Sequence, residues 1–184
     1  GSHGLLGKQN VYEHSMQSPM IIAGPGIPHG ETNALTYLLD IPVTLCELLK
    51  VAQPGPVDGA SLAPLWRGEK TSVRDTVFLS YEDAQRAVIQ PPWKLIRYPL
   101  IDYTQLFDLA NDPYERNNLA EIPEYADRVE ALLDGARRLV GGEDALAVRG
   151  HGNRHLVELS EIHRALPLDF VQFAAPGSSW STTS

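Results

Sequence analysis

The clearest periodicity lies between positions 123 and 140. Tyr125, Val129, Leu132, Leu133, Ala136 and Val140 fall on one face of a helix opened by Pro123. On the other face Glu124 with Arg128, and Asp134 with Arg138, stand four apart and are spaced for ion pairs, while Gly141-Gly142 supplies a stop. Upstream the period shortens to that of strands. Positions 76–81, 86–90, 93–98 and 104–109 are short and rich in β-forming side chains. They are separated by Glu82-Asp83, by Pro91-Pro92, and by Pro99 with Asp102. Four short strands with tight connections predict an antiparallel meander, covered on one side by the 123–140 helix.

The first 30 residues are punctuated by Gly and Pro. Pro19-Met20-Ile21-Ile22-Ala23, closed by Gly24-Pro25-Gly26, predicts a short buried strand. Over 34–39 a strand and a helix start fit equally. Pro42 then suits the first turn of a helix carrying Leu45, Leu48 and Leu49, which ends before Pro54-Gly55-Pro56. After the Asp58-Gly59 turn, 62–66 reads as a short irregular packed segment. Beyond 143 the pattern weakens: Leu156, Leu159 and Ile162 predict a short helix within 156–166, and the Ser/Thr-rich stretch 177–184 a disordered end.

Composition narrows the function classes. At 184 residues the chain can bury one core, or one domain plus a tail. A formal charge of -8, with basic side chains only in short pairs such as Arg137-Arg138, argues against a nucleic-acid surface. No run approaches the roughly 18 apolar residues of a membrane span. Cys46 is the only cysteine, which rules out an intrachain disulfide and a cysteine-only metal site. Its apolar neighbours predict a buried structural thiol. No basic-then-apolar leader pattern is visible, and the compartment stays open between periplasmic, extracellular and cytoplasmic.

Candidate chemistry concentrates at the start. Gly1-Ser2-His3-Gly4-Leu5-Leu6-Gly7-Lys8 is not a phosphate loop, since Ser2 and Gln9 stand where that pattern needs Gly and Ser or Thr. A Lys on a Gly-rich loop nevertheless presents a cation to an oxyanion. Lys8 is accompanied by His3, Tyr12, Glu13 and His14. His151 and His155 stand four apart, but Gly150, Gly152 and Asn153 argue against a shared helix face. His29 falls in a turn. There is no His-Glu-x-x-His and no Gly-x-Ser-x-Gly. The residues alone supply no complete catalytic constellation.

Five segments taken in order resemble the C-terminal part of the sulfatase family, in the alkaline-phosphatase-like superfamily. The first eight residues with Tyr12-Glu13 are similar to its G-x-H-G-x-x-G-K…Y-E stretch, and Ser18-Pro19-Met20-Ile21-Ile22-Ala23-Gly24-Pro25-Gly26-Ile27-Pro28 to its P-L-I-x-x-G-P-G-I-P. Leu39-Asp40-Ile41-Pro42-Val43-Thr44-Leu45-Cys46-Glu47-Leu48 resembles the D-x-x-P-T-L-x-x-L strand-to-helix junction, with the Pro displaced by one, and Asp58-Gly59-Ala60-Ser61-Leu62-Ala63-Pro64-Leu65 resembles D-G-x-S-L-x-P-L. Gln105-Leu106-Phe107-Asp108-Leu109-Ala110-Asn111-Asp112-Pro113-Tyr114-Glu115 with Asn117-Asn118-Leu119-Ala120 is similar to the closing E-L-Y-D-L-x-x-D-P-x-E-x-x-N-L-A. The matches run from Gly1, which reads as native chain, to about position 140.

That resemblance implies an α/β fold: the C-terminal part of an alkaline-phosphatase-like architecture, ending in a small four-stranded antiparallel sheet packed on one helix. Residues 1–70 would complete the edge of a catalytic α/β domain, 71–142 form a C-terminal α+β subdomain, and 143–184 a partly disordered tail. It implies sulfate-ester hydrolysis through a formylglycine nucleophile and a divalent cation, usually calcium (Ca2+). Neither the C/S-x-P-x-R motif nor an early Asp-Asp pair occurs here, so both belong to a missing N-terminal catalytic half. This chain then binds no metal and is inactive alone. Lys8 carries over as a sulfate-contacting residue and His3 as part of the pocket wall. The implied partner is a sulfated small molecule or sulfated sugar. Alternatives are a phosphate or phosphonate ester hydrolase of the same superfamily and a non-catalytic binding or assembly module. Apolar side chains over 19–23 and 35–49 should be exposed where the other half would cover them.

Overall fold

A computed structural model describes residues 2–5, 7–53 and 55–140. The Gly141-Gly142 stop, the His151/His155 pair, the 156–166 helix and the 177–184 stretch lie outside the described residues.

The strand pattern is realised as an antiparallel sheet of β1 (Val77–Tyr81), β2 (Gln85–Gln90), β3 (Trp93–Tyr98) and β4 (Tyr103–Asp108), in that spatial order. Register pairs Val88 with Leu95 and Leu95 with Leu106, and on the opposite face Ala87 with Ile96 and Ile96 with Gln105. Because side chains alternate across a strand, this register builds two separate cores. Val88, Leu95 and Leu106 pack with Leu132 and Ala136. Ala87, Ile96 and Phe107 pack with Val11 and Tyr12 from the start of the chain. The sheet is buried on both faces. The outer edge of β4 is closed by Asn118, whose Oδ1 accepts from the amides of Leu106 at 2.9 Å and Ala120 at 3.0 Å, and by the Leu119 amide bonding the Leu106 carbonyl. Pairing these groups removes an edge open to aggregation.

The helix on the first face begins as a 3-10 turn, Pro123–Tyr125, and continues as an α-helix, Ala126–Val140. Its apolar face packs as expected, but its ion pairs differ. Arg137 reaches Asp134 at 2.6 Å and Glu130 at 3.5 Å, in place of Glu124 with Arg128 and Asp134 with Arg138. Arg128 lies over the Trp93 ring, 5.4 Å from its centroid, a contact with the sheet that draws it away from Glu124.

The first 70 residues contain α1 (Glu13–Met16), α2 (Asp40–Leu49) and α3 (Ala63–Trp66), which makes the last helix α4. The strand expected at 19–23 is not formed. A strand's amides need a neighbouring strand, and none lies beside this segment among the described residues. Ile21 is 93% exposed there. Positions 34–37 are irregular and the helix starts at Asp40, two residues before Pro42, while 62–66 is a helical turn rather than irregular. Leu38, Leu45, Leu48 and Leu49 are exposed beside Met20 and Ile21, as expected of 19–23 and 35–49. Cys46 is half-buried, not the buried thiol expected, because its helix covers only one side.

Asp40 fixes α2. Its buried carboxylate takes two bonds from Arg74, at 2.5 and 2.6 Å, and one each from the amides of Tyr37 and Ala60. Thr44 adds a bridge, donating to the Asp40 carbonyl and accepting the Leu62 amide. Gly59 passes so close to α2 that a Cβ would sit 2.2 Å from the Leu39 carbonyl oxygen. The D-x-x-P and D-G-x-S-L motifs are therefore two sides of one buried joint.

Candidate functional site

Residues 2–13 are built outward from the sheet. Val11 and Tyr12 are buried against Ala87, Ile96 and Phe107, and their polar atoms meet a row of polar side chains on the same face. The Val11 amide donates to Gln85 Oε1 at 2.9 Å. The Tyr12 hydroxyl donates to Gln105 Oε1 at 2.6 Å and lies 2.9 Å from the Tyr98 hydroxyl, which also accepts from Gln85 Nε2 at 3.0 Å. Burial first, and then the hydrogen bond with Tyr98, push the Tyr12 phenol far above its ordinary value, so it stays a protonated donor.

Glu13 adds a charged anchor. Lys94 of β3, with no exposed surface, places Nζ 2.7 Å from Glu13 Oε1 and 2.8 Å from Glu115 Oε1. Glu115 Oε2 accepts the Glu13 amide at 2.7 Å. The turn that delivers Glu115 is shaped by Asp112, whose Oδ2 accepts the amides of Arg116 and Asn117.

From this anchor the chain leads back to a loop at the surface. Gly4 and Gly7 have φ of +71° and +72°, in the left-handed region where L side chains are strained. Nothing crowds a Cβ at either position, so backbone conformation is what calls for glycine. His3 has φ of 55° and is exposed, with its ring stacked on Tyr12 at 3.9 Å between centroids and 3° between planes. His14 extends the group, 5.7 Å from His3. Lys8 is exposed and joins no ion pair among the described residues.

Of the residues singled out from sequence, the structure gathers His3, Tyr12 and His14 into one stack, holds Glu13 in the buried charge cluster, and leaves Lys8 on the adjoining loop. His29 is exposed in a separate bend. Sequence reasoning missed Lys94, Glu115, Gln85, Gln105 and Tyr98. No local signal marks them: Lys94 stands between Trp93 and Leu95 as a solvent-facing strand residue would, and Glu115 is one more acid in a turn. Among the described residues, no group of three or more His, Cys, Asp or Glu is clustered to hold a metal ion.

The family model described as N-sulphoglucosamine sulphohydrolase, C-terminal, matches residues 1–139. The chain belongs to this family. It is a C-terminal sulfatase-family portion of the alkaline-phosphatase-like superfamily, with the expected four-stranded sheet on one helix. The Delta 4,5-hexuronate-2-O-sulfatase of Bacteroides thetaiotaomicron is 34% identical over 149 residues, covering 72% of this chain and 31% of its own length. The choline-sulfatase of Rhizobium meliloti is 37% identical over 132 residues, covering 67% of this chain and 25% of its own. The chain thus spans about a third or less of these relatives. Among solved structures, a candidate sulfatase of Bacteroides thetaiotaomicron superposes with a TM-score of 0.52 at 35% identity, over 64% of this chain and 28% of that one. A phosphonate monoester hydrolase from Silicibacter pomeroyi shares the fold, with a TM-score of 0.63 at 23% identity over 72% of this chain and 30% of its own. The closing motif of this chain has a physical content: Asp112, Glu115 and Asn118 shape a turn, anchor Glu13 and close the sheet edge.

Proposed function

We propose that the protein carrying this segment is a sulfuric ester hydrolase and that the segment supplies Lys8 to its sulfate-binding pocket. The observation that carries this reading is a family-matching Gly-rich loop, anchored to a buried sheet by Tyr12 and Glu13, that presents an exposed Lys8 with no ion pair among the described residues. An ammonium so held offsets charge on a sulfate oxygen or on the departing alkoxide, the electrostatic stabilisation that acts most strongly where water is excluded. His3, whose ring is stacked on Tyr12, forms part of the pocket wall in this reading. In this reading 1–70 complete the catalytic α/β domain, 71–142 form the C-terminal subdomain, and the segment alone is inactive.

The formylglycine nucleophile and the divalent cation, calcium in most of the family, belong to the rest of the protein. The described residues offer no cluster of His, Cys, Asp or Glu for a metal ion. The names of the relatives, a hexuronate sulfatase and a choline sulfatase, support a sulfated sugar or sulfated small molecule as substrate.

The test is turnover by the full-length protein with intact formylglycine, offered an aryl sulfate, a sulfated sugar and a phosphonate monoester. Hydrolysis of a sulfate ester supports the proposal. Activity on the phosphonate alone replaces it with the phosphonate reading that the shared fold permits, and turnover of none would sink it.

A further inference from the structure

We propose that Glu115, acting through Lys94 and Glu13, is a positioning residue for Lys8; the inference rests on the sulfate-contact reading of Lys8. Glu115 grips residue 13 twice. One carboxylate oxygen accepts the Glu13 amide at 2.7 Å; the other forms an ion pair with Lys94 Nζ at 2.8 Å without hydrogen-bond geometry, and Lys94 donates a hydrogen bond to the Glu13 side chain at 2.7 Å. Backbone and side chain of one residue are thus held from a turn about a hundred positions away. The Glu115 side chain is 1% exposed and that of Lys94 0%.

Stability is a poor reason to keep such a cluster. Desolvating two carboxylates and an ammonium costs as much as their attraction returns, and well-packed apolar side chains generally do as well. What the cluster provides is geometry, because the two hydrogen bonds to residue 13, from its amide to Glu115 and from Lys94 to its carboxylate, each have one length and one direction. The neighbouring contacts act in the same sense: Val11 is bonded to β2 through Gln85, and Tyr12 to β3 and β4 through Tyr98 and Gln105. Residues 11–13 are therefore fixed against three strands, and only Gln9 and Asn10 separate Lys8 from Val11. Glu115 itself sits at φ of 54°, a conformation an L residue adopts only under constraint, here from the Asp112 turn. The turn is built to aim one carboxylate inward.

A positioning role predicts coupling between Glu115 and Lys8, which a merely structural role does not. In the full-length protein, Glu115→Gln keeps the shape but offers one amide where two acceptor oxygens are needed. The expected result is a loss of about tenfold or more in kcat for a sulfate ester, as for other displaced catalytic groups. In a Lys8→Ala background the same change should cost less than about twofold, because the group being positioned is gone. If the substitution blocks folding, Tyr12→Phe takes its place in the cycle, since it removes the hydroxyl anchors and keeps the ring under His3. Equal losses in both backgrounds, or an unchanged kcat when Lys8→Ala is itself impaired, overturn the inference. A Lys8→Ala protein with unchanged turnover overturns the reading of Lys8 and the positioning claim with it.

Discussion

The carboxylate of Glu115 accepts the amide hydrogen of Glu13 at 2.7 Å, a bond between positions 102 apart in the chain. Lys94 lies between the two side chains and neutralises part of their charge. Replacing Lys94 by Met leaves two carboxylates facing each other at a buried position. The expected cost is about 3–5 kcal/mol of stability, the range for breaking a buried pair from one side. Adding Glu13→Gln and Glu115→Gln removes the unpaired charges and should recover most of that loss. Urea unfolding of the three proteins measures it; a single Lys94→Met change costing under ~1 kcal/mol would contradict the burial of the cluster.

Asp40 and Arg74 make the second buried pair, and it gives stability a pH dependence. Burial on its own pushes the Asp40 carboxyl up, but hydrogen bonds from Arg74 and from the amides of Ala60 and Tyr37 outweigh it and hold the group below the usual carboxylate range. With a depressed folded value, its contribution is complete above the unfolded value of about 4 and is lost as pH falls through the folded one. Asp40→Asn should therefore destabilise the protein strongly at pH 7, and the gap to wild type should narrow toward pH ~2. Unfolding curves at both pH values check this. A gap that widens in acid would have the wrong sign.

Two glycines make opposite predictions for the same substitution. At Gly59 a Cβ would lie 2.2 Å from the Leu39 carbonyl oxygen and 2.8 Å from a Val43 methyl, both on α2 or its N-cap. Gly59→Ala should separate that joint and destabilise by more than ~2 kcal/mol. Gly135, inside α4, has nothing within 4 Å of its Cβ position. There Ala should stabilise by about 0.5–1 kcal/mol through helix propensity. Thermal melts of the two variants read both signs directly.

The sheet and α4 were legible because their signals are local. β-forming stretches bounded by turn residues, such as Trp93–Tyr98 after Pro91-Pro92, mark the strands, and the helical spacing of Val129, Leu132 and Ala136 states which side of α4 faces inward. The segment 19–23 was not legible, since five apolar residues specify burial but not a partner, and Ile21 is left in solvent here. The loop bearing His3 and Lys8 could be found from its glycines, whose left-handed backbone at Gly4 and Gly7 leaves a sequence trace. What holds that loop could not. Glu115 reads as one more acid in a turn until folding brings it to Glu13, and Lys94 reads as a solvent-facing Lys in a strand whose outer face is in fact covered by Val11 and Tyr12. Covering the second face with a distant segment is a tertiary event, and the period of β3 carries no sign of it.

The central claim is that Lys8 contacts the sulfate group of a sulfate ester, and one measurement addresses it most directly. The full-length protein and its Lys8→Ala variant are compared in kcat/KM on two aryl sulfates, one with a good and one with a poor leaving group. Loss of one oxyanion-stabilising donor should lower the rate by about 10²–10³-fold. If the ammonium stabilises the departing aryloxide, the loss should be greater for the poorer leaving group. Equal kcat/KM for wild type and variant on both substrates, with the variant folded, would contradict it.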